Sequence, residues 1–573
     1  MRIHQKLIAV VAFAAALIAP LIAAPLRPTH APHALVASAH ELASRAGVEM
    51  MQAGGNAVDA AVATAFALAV VHPQAGNIGG GGFLLLRNST GETHFIDFRE
   101  KAPAAATENM YLDAQGNVIK DLSIVGCKSV GVPGSVAGLA YAERKYGKLS
   151  LKKVIAPAIK LAREGFPLSY EDAEDLHDKD LAKFADSFRI FQRGGKLFQP
   201  GEILKQPELA QTLERIAQNP DDFYHGALAA EIAAAIQKGG GLITTDDLAH
   251  YEVKEREPIR GTYRGYEIIS APPPSSGGVA LIEILNILEG FDLAKLGNRS
   301  GETIHLTSEA FRRVFYDRAD FLGDPDFAKI PVPQLIDKKY AAAWRASIDP
   351  NHASVSKDLK RPPFENLERI AEFLPVPVRE PKNTTHYSVV DGGGNAVAVT
   401  TTLNDLFGSR VTAEGLGFLL NDEMNDFAAK QGVPNAYGLI QGPANAIGPN
   451  KRPLSTMTPT IVLKDGKLFL VLGSPGGSTI ITTVANVLMG VVDFGLDIQE
   501  AVNAPRFHHQ WLPDEIRIED RISPDTMNVL RSKGHKLKVG HFWGDGECIM
   551  IDPKTGERLG ASDARNNGKA VGY

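Results

Sequence analysis

Two threonines stand at the head of an apolar strand in Asn383-Thr384-Thr385-His386-Tyr387-Ser388, which continues into Val389-Val390. A threonine hydroxyl is a weak nucleophile until a base takes its proton. Cleavage of the peptide bond before Thr384 would free an α-amine with a pKa of about 7.7–8 on the same residue, so one amino acid would be both nucleophile and base. Paired threonines are also ordinary strand residues, and the hexamer alone favours that plainer reading.

Its neighbours add chemistry. Asp391-Gly392-Gly393-Gly394-Asn395 is a strong turn between two apolar-alternating runs. A hairpin centred on Gly393 puts Thr384 opposite Thr402, bringing a second hydroxyl within reach, and Asn404 follows on the same face. A slip of one residue would turn these side chains to the other face. Gly473-Ser474-Pro475-Gly476-Gly477-Ser478 lies between a strand at 468–472 and a helical run at 479–489. Glycines at such a junction let backbone N–H groups face outward and hold an oxyanion or a phosphate. The G-K-[ST] ending of a phosphate loop is absent. Arg99 and Glu100 follow a strand at 93–98, and polar residues cluster at 421–426 and 451–456. His508-His509 sit on an extended segment that points them in opposite directions, and no C-x-x-C or H-E-x-x-H spacing occurs, so no metal site is predicted.

The elements that must position these residues are legible in outline. The chain has 573 residues, 44% of them hydrophobic and 22% charged, enough for two to four average domains or one large layered domain. A net charge of −6 with no long basic run gives no reason to expect a nucleic acid or an anionic membrane surface as partner. Arg2 and Lys6 precede an apolar run at 7–24 that ends in small residues and Pro25. This predicts a secretory signal over 1–24 and a periplasmic or secreted protein without a stable membrane anchor. An uncleaved anchor is the rival, disfavoured by Pro20 and the small residues after it. Cys127 and Cys548 do not make a disulfide scaffold; unpaired thiols are favoured over a single bridge. Helical patterns run at 41–53 and 56–71, the second capped by Asn56 and apolar all round, as a helix buried between layers would be. A helix at 149–164 stops at Gly165, and 150–350 reads as mostly helical, with Pro272-Pro273-Pro274-Ser275-Ser276-Gly277-Gly278 as a rigid loop before another helix. A proline- and charge-rich linker covers 361–383, and strands follow at 387–390, 396–402, 460–463 and 468–472. Together these predict an α+β chain with sheets between helical layers.

In this order, the strings running from His72 to Phe83, Asp97 to Glu100, Pro272 to Gly278, Thr384 to Ser388, Gly448 to Ser455, Gly473 to Ser478 and Asn503 to Gln510 resemble the γ-glutamyltranspeptidases over most of the chain. The resemblance implies a four-layer αββα N-terminal-nucleophile hydrolase fold. It also implies a proenzyme that cuts itself between Asn383 and Thr384, giving a large subunit of 25–383 and a small one of 384–573 that remain one folded heterodimer. By the same resemblance Thr384 is the nucleophile and Thr402 its supporting hydroxyl. Gly476 and Gly477 supply oxyanion N–H groups. Arg99, Ser455 and Thr456 hold the α-carboxylate of a γ-glutamyl group, while Asn404, Glu423 and Asp426 hold its ammonium. Tyr437 belongs to a lid at 434–448. The implied activity forms a γ-glutamyl ester from glutathione or another γ-glutamyl amide and passes it to water, an amino acid or a peptide, without cofactor. Thr456 departs from the usual serine, Glu423 stands where relatives vary between Glu and Gln, and 541–547 is less typical. A glutaryl-β-lactam acylase of the same fold, an exported solute-binding protein and an unprocessed inactive relative are the alternatives.

Overall fold

The computed structural model describes residues 26–363, 384–435 and 437–573. The expected signal segment, Asn383 and most of the proline-rich linker lie outside the described residues, as does Ala436 of the expected lid.

The predicted turn closes a hairpin because the Asp391 carboxylate accepts the backbone N–H groups of Gly393 (2.8 Å) and Asn395 (2.9 Å). Its other oxygen accepts the N–H of Ala57 (2.9 Å), which docks the turn on the first residue of the helix Ala57–Val71. Strands Thr384–Val390 and Ala396–Thr402 then pair antiparallel without a bulge, from Val390 opposite Ala396 to Thr384 opposite Thr402. On either side lie Leu35–Ser38 and Gly81–Arg87, within a seven-stranded sheet that continues to Lys569–Gly572 at one edge and through Thr93–Phe98 to Lys254–Arg256 at the other.

A second seven-stranded sheet runs Thr29–Ala31, Arg558–Ala561, Cys548–Ile551, Lys467–Leu472, Thr460–Lys464, Tyr266–Ser270 and Ile259–Tyr263. The two sheets share a core of Leu35, Phe83, Leu85, Ile269, Ala398, Ile461 and Val471. Because side chains alternate along a strand, Val389 and Val397 face the other way. They pack with Leu84 against the helices Glu41–Gln52, Ala57–Val71 and Leu151–Glu164. Val462 and Leu470 face outward from the second sheet onto Gly277–Leu288, Gly301–Phe321 and Ile480–Val492. Every residue of Ala57–Val71 is buried, as its all-round apolar surface requires. Each sheet interleaves strands from before residue 364 with strands from after residue 383.

Several elements depart from the sequence expectation. The mostly helical 150–350 region also contains the hairpin Ile259–Tyr263 and Tyr266–Ser270. Its two-residue turn is Arg264-Gly265, both at positive φ, a turn without the Asn-Gly or Asp-Gly signature. Short strands near both termini, including Leu35–Ser38 and Arg558–Ala561, also carry no clear pattern of their own. Cys127 and Cys548 are both buried free thiols. Burial pushes the Cys127 thiol up to about 11. Among the described residues no helix is long and apolar enough to cross a membrane.

The glycines after Asn77 permit a close approach that larger residues would block. A Cβ on Gly80 would lie 2.0 Å from the Thr402 carbonyl oxygen, and one on Gly82 2.4 Å from that of Thr400. Asn77 fixes the same Thr402 carbonyl by donating from Nδ2 (2.9 Å). Gly80→Ala is therefore expected to displace the end of the Ala396–Thr402 strand and to cost about 1–3 kcal/mol through overpacking. A thermal unfolding midpoint equal to that of the parent protein would contradict this packing.

Candidate active site

Thr384 Oγ1 lies 3.3 Å from Thr402 Oγ1. The Thr402 oxygen also accepts the N–H of Asn404 (2.8 Å), which fixes it at the point where the strand ends and the chain turns through Asn404 at φ +78°. Thr385, the next residue, takes the opposite face and is fully buried. Thr384 borders two cavities whose linings otherwise share no residue. The inner one is narrow and polar, walled by Arg99, Arg318, Asn404, Glu423, Asp426, Tyr437, Ser455, Thr456 and Gly477. The outer one has a volume of about 240 Å³ and is walled by Gly476, Tyr170, Asp175, Phe542, Trp543, Asp545 and others.

The glycine loop reaches both cavities. Gly476 (φ +129°) and Gly477 (φ +52°) hold backbone conformations that a side chain would strain. The Gly476 carbonyl accepts from Thr479 N–H (3.0 Å) and Thr479 Oγ1 (2.8 Å). In a trans peptide the N–H opposes the C=O, so the Gly477 N–H points away from Thr479. Thr456, expected to bind carboxylate, donates its hydroxyl to the Gly477 carbonyl (2.7 Å) and thereby holds the loop. His386 supports the loop's first residue. It lies two residues after Thr384 on the same face, and a Cβ on Gly473 would meet its ring at 2.2 Å. Burial drives His386 down to about 3, so its ring is neutral, hydrogen-bonded to Thr400 (2.8 Å) and Ser388 (3.2 Å).

The charged residues meet one another more directly than their sequence positions suggest. Arg99 pairs through Nη1 with Glu423 and through Nη2 with Asp426 (2.6 Å); Glu100 lies 3.5 Å away and Nε donates to the Pro453 carbonyl (3.2 Å). Burial opposes charge on Arg99, but Glu423, Glu100 and Asp426 outweigh it and hold the guanidinium above its ordinary range. Burial raises Glu100 to about 7 and Glu423 well above the usual carboxylate range, both against the pull of Arg99. The sequence reading placed Arg99 on one ligand group and Glu423 and Asp426 on another; the structure joins them in one ion-paired cluster. Asn404 donates from Nδ2 to the Asp422 carbonyl (3.0 Å), and its Oδ1 accepts the hydroxyl of Tyr437 (2.7 Å), so the lid tyrosine closes on the same wall. Ser455 is held by the Pro272–Gly278 loop: its N–H donates to the Pro274 carbonyl (2.8 Å), and its own carbonyl accepts the N–H (2.8 Å) and hydroxyl (2.7 Å) of Ser276.

Sequence reasoning missed Arg318 in the inner wall and Trp543 and Asp545 in the outer one. Arg318 lies in a helix, Gly301–Phe321, buried along almost its whole length, which gives no motif to single it out. The atypical stretch at 541–547 was the only signal for the other two. Among the described residues His305, Glu309 and His535 form a group of metal-type donors, but Glu309 is paired with Arg312 and Arg313 and the two imidazoles hydrogen-bond each other (2.7 Å). His508 instead bonds Thr482 (2.9 Å) and Gln510 (2.9 Å), and His509 faces Asp514.

The family model described as Gamma-glutamyltranspeptidase matches residues 43–573. The chain belongs to this family. It is 51% identical over 543 residues to the glutathione hydrolase proenzyme of Escherichia coli K12, covering 94% of this chain and 91% of that protein. The crystal structure of γ-glutamyltranspeptidase from Helicobacter pylori matches at 46% identity with a TM-score of 0.57, covering 59% of this chain and 97% of that one. Cephalosporin acylase from Bacillus halodurans superposes with a TM-score of 0.81 at 28% identity, covering 97% of this chain and 98% of that one. These likenesses give an α+β fold of the N-terminal-nucleophile hydrolase type and the family's γ-glutamyl transferase and hydrolase class of enzyme.

The link from Tyr437 to Asn404 yields a test. Tyr437→Phe removes one buried hydrogen bond and leaves the Asn404 oxygen unpaired, a loss of about 0.5–1.5 kcal/mol. KM for a γ-glutamyl anilide is expected to rise roughly 2- to 12-fold with little change in kcat. An unchanged KM would mean that the lid contact plays no part in substrate binding.

Proposed function

We propose that the protein is a self-processing γ-glutamyltranspeptidase and glutathione hydrolase. The observation that carries the reading is the position of Thr384. It faces a second hydroxyl at 3.3 Å, with a cavity bearing both signs of charge on one side and a roomier cavity on the other. The inner cavity takes the γ-glutamyl group. Its α-carboxylate meets Arg99 and Ser455, with Thr456 holding the wall behind, and its α-ammonium meets Asn404, Glu423 and Asp426. The outer cavity takes the leaving amine and then water or an amino-acid or peptide acceptor.

In this mechanism the peptide bond between Asn383 and Thr384 is cut first, with Thr384 Oγ1 as attacking atom, and the four-layer αββα unit becomes a large and a small subunit. Interleaving of strands in both sheets keeps the two together without any covalent link. The freed amine of Thr384 then draws the proton from its own hydroxyl, which attacks the γ-carbonyl. Thr402, fixed by the Asn404 N–H, orients that hydroxyl. The oxyanion develops against the N–H groups of Gly476 and Gly477; loss of one such donor costs roughly 100- to 1000-fold in kcat. Collapse expels the amine, protonated on its way out, and the γ-glutamyl ester is resolved by the incoming nucleophile. These steps require no cofactor. The basic and apolar N-terminal segment supports a location outside the cytoplasm, in the periplasm or beyond.

A glutaryl-lactam acylase is the second reading, prompted by the likeness to cephalosporin acylase. A glutaryl group has no ammonium and would leave Glu423 and Asp426 facing nothing cationic but Arg99, so the two-signed inner cavity favours γ-glutamyl.

Two outcomes are expected of the purified protein. It should run as two chains, the smaller beginning at Thr384 by N-terminal sequencing, and Thr384→Ala should remain one chain without activity. A mutant that still processes would assign the nucleophile elsewhere. Release from γ-glutamyl anilide should exceed release from glutaryl anilide by at least about 10-fold, the value of one charge-assisted contact; the reverse order would favour the acylase.

A further inference from the structure

Arg318 is an arginine of the inner cavity that the proposed mechanism does not use. It is 2% exposed and lines the same wall as Thr384, Arg99 and Ser455. Its Nε donates to Ser276 Oγ (2.9 Å), and Ser276 in turn holds the Ser455 carbonyl, so the guanidinium is fixed to the segment that carries Ser455. Its Nη1 is buried and has no hydrogen-bond partner among the described residues. The other arginines of the same helix differ: Arg312 pairs with Glu309 and Asp514, and Arg313 with Glu309. Arg99 in the same cavity already has Glu423 and Asp426. Burial lowers Arg318 to about 10, only partly offset by the nearby Asp426, and it remains a cation at neutral pH.

A buried guanidinium with an idle N–H and no direct counter-ion is a costly arrangement that an anionic ligand relieves. From these contacts we infer that Arg318 is a second anchor for the α-carboxylate of the acyl donor, acting with Arg99. The inference rests on the γ-glutamyl reading above and sharpens it. Arg99 divides its charge between the ligand and two protein carboxylates, whereas Arg318, with only Asp426 nearby, keeps an Nη1 that no described residue takes up. The site thereby selects acyl groups that carry an α-carboxylate over those that lack one.

The test compares two anilides that differ only in that carboxylate, γ-glutamyl and 4-aminobutyryl, on the processed enzyme. Arg318→Gln is expected to lower kcat/KM for the γ-glutamyl compound roughly 10- to 100-fold, mainly through KM, and to lower it far less for the 4-aminobutyryl compound, so the ratio between them falls. Arg318→Lys, which keeps the charge without the fork, should recover part of that ratio. A purely structural role for Arg318 would lower both substrates together and leave the ratio at the parent value, and that result overturns the inference. If Arg318→Gln gives no soluble protein, the ratio is read on Arg318→Lys, where a parent-like value is again fatal. A parent enzyme that cleaves neither anilide removes the γ-glutamyl reading itself, an outcome distinct from an unchanged ratio.

Discussion

The register of one hairpin governs the site. Thr384 stands opposite Thr402 because seven residue pairs run without a bulge from a turn locked by the Asp391 carboxylate. One step of slippage would exchange Thr384 for Thr385, which faces a closed interior. The other elements hold that register from several sides. Ala57–Val71 docks its N-terminus on the turn, Asn77 and the glycine run grip the Thr402 carbonyl, and His386 carries the Gly473 end of the glycine loop on the same strand as Thr384. The Thr384–Thr402 pair therefore sits on sheet rather than on loops, which suits atoms that must stay within hydrogen-bond reach.

Charge is organised on the same principle of mutual restraint. Arg99 pairs with both Glu423 and Asp426 in a nearly dry wall, where an unpaired member would cost several kcal/mol. A ligand bearing both a carboxylate and an ammonium can enter such a cluster by exchanging partners without leaving a charge alone. A ligand with a single charge cannot. In the proposed mechanism the two-signed wall is a selectivity device, and the larger neutral-to-acidic cavity on the far side of Thr384 leaves room for varied amines.

Much of this was legible in the sequence, and the limits have physical causes. The hairpin and its pairing followed from a turn signature and counting, since a ladder without bulges is arithmetic. The buried helix Ala57–Val71 followed from an apolar surface and an Asn cap. The hairpin at Ile259–Ser270 was hidden because Arg264 occupies a left-handed position usually given to Asn or Asp. Resemblance named Arg99, Glu423 and Asp426 as site residues, but their direct pairing joins positions more than 300 residues apart that only the fold brings together. Arg318 was beyond reach for another reason: a helix buried on nearly all sides has no periodicity that marks one arginine as facing a cavity.

In the proposed mechanism Thr384 carries the acyl group. Acid-quenched turnover of a γ-glutamyl anilide, followed by peptide mass spectrometry, tests that directly. The predicted result is a γ-glutamyl group on the peptide whose first residue is Thr384, bound at its hydroxyl. An adduct on any other residue, Thr385 included, or steady turnover with none captured at Thr384 while the acyl-enzyme is trapped elsewhere, would contradict it.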